Sequence, residues 1–397
     1  MLREADVLVI GGGAIGLAIT VSLSQQGFFV TLLEKHPRLA TENSSRNSGV
    51  IHSGLYYPQG SLKAELCVRG RELLYARCKR HGIAHRRIGK LIVAQSEAEV
   101  STLEELCARA EANGAGKVEL LDAVGLSLHE ENIRGRAALL VEESGVLRTH
   151  EFIRSLVAEA GALRAETFVG MEVVALDRVE DAWEAVVRSP EAEGTLRFRA
   201  RFVVNAAGLA ADEVARLAGI DVAALGLVQR FCRGTWFSLH ERYRKAIGRL
   251  IYPVPQHAGA GVSVLGVHLT RDLEGFLHAG PDAEWLEPSV ASGESQRRAT
   301  TSEGFFSMEH AYSRRPAVLH ALLPWFPDLL EHDLTPLMCG VRPKLHGPEE
   351  PSRDFVIEEA SAHGAPGFIM LLGIESPGLT ASLAIAQHVR ELVDALT

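Results

Sequence analysis

Asp6-Val-Leu-Val-Ile10 runs directly into Gly11-Gly-Gly-Ala-Ile-Gly16 near the start of the chain. The apolar, β-branched run reads as a strand and the glycines as a turn. Ile15, Ile19 and Leu23 then fall on one helical face until Gly27 stops the helix. A second apolar run, Phe28 to Leu33, ends at Glu34. The whole is a strand–turn–helix–strand unit with G-x-G-x-x-G at Gly11, Gly13 and Gly16. One glycine makes the tight turn, one lets a pyrophosphate approach the backbone, and one lets helix and strand pack closely. The helix start offers free N–H groups and partial positive charge to phosphates. Glu34 stands where an acid takes ribose hydroxyls, roughly 20 residues on. A glycine-rich turn without a ligand is the alternative. The flanking strand, helix and acid favour a dinucleotide site.

The bulk composition is that of an ordinary globular chain. At 397 residues it is long enough for two domains, with 47% apolar and 23% charged residues. A net charge of -9 speaks against a nucleic-acid surface and against a polybasic membrane patch, while leaving room for peripheral membrane contact. Five scattered cysteines without a C-x-x-C motif point to a reducing compartment and to no metal site. The expected location is the cytoplasm, or the mitochondrial matrix for a processed eukaryotic chain. Val7 to Leu23 is not read as a signal peptide, because acids precede it and glycines interrupt it. No apolar run approaches the roughly 20 residues of a membrane span.

Further along, Thr41 to Gly49 is rich in short donors (Ser44, Ser45, Asn47, Ser48), suited to phosphate or ring contacts or to a solvated loop. Ser61 opens a helix that Gly82 ends, and Gly89 to Ala94 is a strand. Ser96 and Glu99 form a capping box for the next helix. Val203-Val-Asn-Ala-Ala-Gly208 is another strand ending in small residues, which brings backbone close to a ligand. From Val228 to Gly280 the composition turns β-rich, residues 281–312 read as an irregular surface insertion, and the stretch before Gly340 reads as strandless. Phe368 to Leu372, the loop Gly373 to Gly378 and a final helix mirror the N-terminal unit, so both chain ends should build one domain.

Several longer stretches are more specific: NSGVIHSGLYYPQGSLKAEL from Asn47 to Leu66, IYPVP from Ile251 to Pro255, GVHLT from Gly266 to Thr270, and GIESPGLTASLA from Gly373 to Ala384. Together with Asn205-Ala-Ala-Gly208 and Gly340-Val-Arg-Pro343 they resemble the FAD-dependent D-amino-acid oxidase superfamily, and within it the L-2-hydroxyglutarate dehydrogenase/oxidase branch. The resemblance implies an α/β fold: a glutathione-reductase-like Rossmann FAD-binding domain interleaved with a mixed or antiparallel-sheet substrate domain. The FAD-binding domain takes residues 1–85, 145–225 and 336–397, and the substrate domain takes 86–144 and 226–335.

FAD fits better than NAD because further small-residue loops exist to surround a flavin ring. The expected cofactor contacts are Gly11, Gly13, Ala14, Ile15, Gly16, Glu34, Lys35, Ser44, Ser45, Asn47, Ser48, Val169, Ala206, Ala207 and Gly208. Gly340, Arg342, Gly373, Glu375, Ser376, Gly378, Leu379 and Thr380 complete the set. Arg342 matches the arginine that grips a substrate carboxylate in amine-oxidising relatives, and a guanidinium suits that role. His52 and His268 are candidate bases for a hydroxyl proton, with His268 also a candidate carboxylate ligand beside Tyr252. Tyr56, Lys90 and Lys344 read as structural or surface residues, and Arg233 as a candidate for a second substrate carboxylate.

The leading expectation is oxidation of an L-2-hydroxy acid, L-2-hydroxyglutarate first, by hydride transfer to FAD N5. An amine oxidase of the same fold, acting on glycine, sarcosine or a D-amino acid, stays open, as does a non-catalytic FAD-bound assembly factor. The electron acceptor (oxygen, a quinone or a carrier flavoprotein) is equally open.

Overall fold

The computed structural model describes residues 2–190, 194–258, 262–264, 266–286 and 302–397. Among these, eight strands form a first sheet with a parallel centre. Leu2–Ile10 lies between Val30–Glu34 and Thr195–Asn205, with Glu166–Val169 beyond the former and Phe368–Leu372 beyond the latter. On its edge away from Leu2–Ile10, Thr195–Asn205 serves two partners. Thr195 to Ala200 pairs antiparallel with Ala182–Arg188, whereas Val203 to Asn205 pairs parallel with Phe368–Leu372. Val30–Glu34 and Phe368–Leu372 are buried throughout, as strands covered on both faces must be.

Helices Ala14–Gln25, Thr149–Ala162 and Gly378–Asp394 cover one face of this sheet, and Leu17, Ile19, Leu23, Phe152 and Val389 are fully buried beneath them. Each such side chain contributes about 1.5–3 kcal/mol on burial. Leu62–His81 packs on the last helix. It starts at Ser61, whose hydroxyl accepts from the Ala64 amide, and stops at Gly82 in the left-handed region (φ 64°). Ser96 caps Glu97–Ala112 as expected, but the Glu99 carboxylate reaches back to the Gln95 amide.

The second sheet has nine strands among the described residues. Arg230–Leu239 and Leu334–Lys344 pair along their whole length, and Leu250–Pro253 pairs parallel with Lys90–Ala94. The remaining described ladders of this sheet are antiparallel. One face, carrying Leu91, Phe237, Ile251, Leu269 and Ala279, packs on a hydrophobic core with Trp325 and Phe326. A small sheet of Val50–Ile51, Gly145–Leu147 and His85–Arg87 stands apart from both large ones.

Two expectations are corrected. The stretch before Gly340 is not strandless: Leu334–Lys344 is a strand, its pairing satisfied by a partner distant in sequence. It also runs across the expected domain boundary at 336. Residues 281–312 are not simply an irregular insertion, because Glu284–Leu286 pairs with Phe231 to Arg233, and helices Ser302–Phe305 and Ala311–Leu322 follow. Residues 287–301 of that segment lie outside the described ones. Among the described residues no helix is long and apolar enough to cross a membrane.

Candidate active site

The dinucleotide loop is built by contacts that leave no room for side chains. A Cβ at Gly11, whose φ is +111°, would sit 2.3 Å from the Ala206 carbonyl oxygen, and one at Gly16 would sit 1.9 Å from that of Gly11. The Glu34 carboxylate accepts from the Gly12 amide at 2.7 Å and the His36 amide at 2.8 Å, which holds the acid at the loop. Ser44 Oγ accepts from the Ala14 amide at 2.9 Å. Ile15 is half-buried within the first turn of the same helix. Val169 lies beside Glu34 at the sheet end and is exposed. Lys35 pairs with Glu42 at 3.0 Å.

The other expected cofactor residues gather from four further segments. Ser45 donates to the Thr41 and Glu42 carbonyls, and Asn47 ties Ser44, Gly49 and Thr149 together. Ala206 donates to Ile10 O, and Ala207 to the side chain of Asn205. Gln229, which the sequence did not single out, bridges two loops: its Nε2 donates to Gly208 O and its Oε1 accepts from Gly373 N, both at 3.0 Å. Asn43, also unforeseen, clamps Val341 next to Gly340 through both ends of its amide. Gly378 starts the last helix, whose Leu379 is half-buried and whose Thr380 hydroxyl accepts from the His52 amide at 3.1 Å.

Glu375 is committed elsewhere. Its carboxylate sits between Lys344, at 2.7 Å, and Lys63, at 3.1 Å. Burial by itself would raise its pKa, but the two ammonium groups hold it down to about 2. Lys344 is therefore a partner in a buried ion-pair triad and not a surface charge. Arg233 is likewise spoken for, making two hydrogen bonds with Glu284 at 2.9 and 3.1 Å.

The substrate-side residues line up on the second sheet by register. Ile251 pairs with Leu269, so Tyr252 faces His268 directly across the ladder. Leu250 pairs with Lys90, which brings Lys90 to the same face as Tyr252. His268 pairs on its other side with Gly280. The missing side chain there lets Trp236 reach the imidazole edge-on, with ring centroids 5.3 Å apart. Cys232 pairs with Arg342, whose guanidinium lies over Gly234 on this same face. One pleated face thus carries Arg342, Trp236, His268, Tyr252 and Lys90.

His52 approaches from the first domain on the turn after Val50–Ile51, with Nε2 3.3 Å from Ser376 Oγ. Burial, and then the positive charge of Lys90, lowers its pKa well below the ordinary imidazole value. His268 Nδ1 donates to Gly266 O at 3.0 Å, leaving Nε2 as the bare nitrogen. Burial brings its pKa down to about 3. Both rings are neutral at pH 7 and able to accept a proton. Arg342 donates to backbone carbonyls, including Asp282 O at 2.8 Å, and has no carboxylate partner among the described residues.

Lys90 is the residue that the sequence reading underrated. It is wholly buried, not a surface residue, with Nζ 3.9 Å from the Tyr252 ring centroid and 5.1 Å from that of Tyr56. Its one sequence signal was a lysine opening the all-apolar strand Leu91-Ile-Val-Ala94. Lys90 Nζ, His52 Nδ1, Tyr56 OH and Tyr252 OH are buried polar atoms without a hydrogen-bond partner. Such atoms are costly unless something else binds them. Ser48 and Trp236 line a cavity of about 380 Å³ between the 146–150 segment and the second sheet.

These features fit FAD and a small acid beside it. The glycine cradle at Gly11 and Gly16 admits a pyrophosphate, and the orphaned polar atoms need a polar ligand. Comparison with known proteins agrees. The profile of the FAD dependent oxidoreductase family (DAO) matches residues 6–392. The chain is 38% identical to the mitochondrial L-2-hydroxyglutarate dehydrogenase of Arabidopsis thaliana, over 98% of this chain and 83% of that one. It is 28% identical to the L-2-hydroxyglutarate dehydrogenase of Escherichia coli K12, over 98% and 93% of the two chains. Among solved structures, dithionite-reduced L-alpha-glycerophosphate oxidase from Mycoplasma pneumoniae with FAD bound superposes with a TM-score of 0.84 at 27% identity, covering 99% of this chain and 95% of that one. Glycine oxidase from Geobacillus kaustophilus, at 17% identity and a TM-score of 0.72, shares the fold. With the family profile matched almost end to end, over residues 6–392, the chain belongs to the FAD dependent oxidoreductase family.

Proposed function

We propose that this FAD-dependent oxidoreductase oxidises an L-2-hydroxy acid, L-2-hydroxyglutarate, to the 2-oxo acid. The observation that carries the reading is the buried face on which neutral His268 stands between two cations, Arg342 and Lys90, with His52 opposite. FAD, when bound, supplies the hydride acceptor. Arg342 and Tyr252 take the substrate carboxylate; a guanidinium whose own partners are backbone carbonyls and the Cys232 sulfur keeps its charge for that purpose. His268 at Nε2, or His52 at Nδ1, takes the hydroxyl proton, and both are neutral because burial disfavours the imidazolium. The wholly buried Tyr252 and its stacked neighbour keep water from the reacting carbon.

Residues 1–85, 145–225 and the chain end form the cofactor domain in this reading, and 86–144 and 226–335 the substrate domain. The electron acceptor is oxygen, a quinone or a carrier flavoprotein. The compartment is the cytoplasm, or the mitochondrial matrix in a eukaryote, in line with the mitochondrial name of the Arabidopsis relative.

The test is an anaerobic visible spectrum of the purified protein before and after L-2-hydroxyglutarate, with D-2-hydroxyglutarate, glycine, sarcosine and D-alanine alongside. Bleaching by the L-hydroxy acid alone is the expected result. Bleaching by an amine instead would make the protein an amine oxidase, and a flavin that none of them reduces would support the non-catalytic scaffold.

A further inference from the structure

Among the described residues the buried cationic side chains are Lys63, Arg71, Arg77, Lys90 and Arg233. Lys63 donates to Arg353 O and Glu375, and Arg71 to Ser53 O and Ala115 O. Arg77 pairs with Glu159, and Arg233 with Glu284. Lys90 is the exception: its Nζ has no hydrogen-bond partner and sits against the ring faces of Tyr252 and Tyr56.

The groups that face Lys90 come from four elements: Cys67 on the helix Leu62–His81, His52 and Tyr56 on the turn before it, Tyr252 on the adjacent strand and His268 on the strand beyond. None is a carboxylate. A desolvated ammonium without an acid nearby is a standing cost to the fold, and it is relieved by an anion that arrives with the ligand. Across the second sheet Arg342 lies on Leu334–Lys344 towards one side and Lys90 on Lys90–Ala94 towards the other, with His268 on a strand between them. The two cations therefore stand at different ends of the site, with the imidazole between them. A substrate held at one end by Arg342 and carrying its hydroxyl carbon at His268 extends towards Lys90.

Resting on the 2-hydroxy-acid reading, the geometry points to Lys90 as the ligand of a second, distal carboxylate, so that the site selects dicarboxylic over monocarboxylic 2-hydroxy acids. Arg233, the other cation considered for this task, is neutralised by Glu284. The Tyr56 hydroxyl beside Lys90 is also orphaned and supplies a further donor.

The test uses the FAD-loaded enzyme with glutarate and pentanoate. These acids have the same chain length, differ by one carboxylate, and lack the hydroxyl needed for oxidation. Binding of each is measured by isothermal titration calorimetry. Wild-type enzyme is expected to bind glutarate about 10- to 100-fold more tightly than pentanoate, the range of one charge-assisted hydrogen-bonded pair. Lys90→Met is expected to abolish that preference by weakening glutarate alone, Lys90→Gln to do the same, and Lys90→Arg to keep most of it. A folded Lys90→Met or Lys90→Gln enzyme that prefers glutarate as wild type does overturns the proposal. So does a wild type that binds the two acids alike. Because neither probe is oxidised, these outcomes are distinct from a failure of L-2-hydroxyglutarate to bleach the flavin, which would overturn the proposed reaction instead.

Discussion

The rings of Tyr252 and His268 stack with centroids 3.8 Å apart and planes 18° from parallel. With Trp236 against the imidazole edge and Gly266 O on Nδ1, the orientation of His268 is determined from three directions. Tyr252→Phe keeps the stack and loses one donor, so we expect kcat to hold while KM rises about 10-fold. Tyr252→Ala frees the ring, and kcat should fall about 100-fold. Steady-state kinetics with L-2-hydroxyglutarate check both; an undiminished kcat in Tyr252→Ala would refute the positioning role.

Replacing the histidine that takes the proton should lower kcat by about 100- to 10,000-fold. His52→Asn and His268→Asn, compared singly, identify which of the two it is. Burial keeps both imidazoles deprotonated well below the ordinary value. The acid limb of kcat/KM should accordingly lie well below the ordinary imidazole range, and a limb at the unperturbed value of about 6.5 would contradict the neutral, desolvated pair.

Lys90 is pressed by burial from 10.5 down to about 7. Between pH 7 and the ordinary lysine range, the unfolded chain binds a proton that the folded chain has released, so stability rises with pH across that window. Below pH 7 both states are protonated and the full cost of the buried charge is felt. Lys90→Met should therefore stabilise the protein by about 1 kcal/mol or more at pH 7, and flatten the rise above it. Thermal melts of both proteins between pH 6 and 10 measure this. A destabilised variant would mean that the ammonium is held by favourable contacts after all.

The Glu375 carboxylate behaves in the opposite sense. Its pKa is depressed to about 2 in the folded chain, so its contribution is present above the unfolded carboxylate value and is lost as pH falls through the folded one. Glu375→Gln leaves Lys63 and Lys344 buried against a neutral amide. Loss of about 3–5 kcal/mol is expected, read as a drop in urea midpoint at pH 7.

Gly11→Ala would bring a Cβ to within 2.3 Å of the Ala206 carbonyl oxygen at a φ of +111°. The cradle cannot close around that atom, and the protein should purify with little flavin, seen as lost visible absorbance per mole of chain. Retention of full flavin content would show that the loop has other ways to hold the pyrophosphate.

What the amino-acid sequence determined by itself was local. The Val7 to Gly16 unit, the caps at Ser61 and Gly82 and the last helix follow from periodicity and glycine stereochemistry within a few residues, so they can be read without knowing what lies opposite. The longer stretches around His52, Tyr252, His268 and Arg342 were singled out by resemblance to a family, not by periodicity. Tertiary structure alone decided which of these residues meet. Lys90 and Tyr252 are neighbours because Leu250 pairs with Lys90, and Tyr252 meets His268 because Ile251 pairs with Leu269. A slip of one residue in either ladder would turn the side chains to the opposite face, and nothing within the strand's own sequence fixes that choice. Leu334–Lys344 escaped notice as a strand because its hydrogen bonds lie with Arg230–Leu239, a strand far away in the chain. Lys90 became a functional candidate only when every surrounding group was known, since a charge is unpaired only by virtue of what the fold leaves out around it.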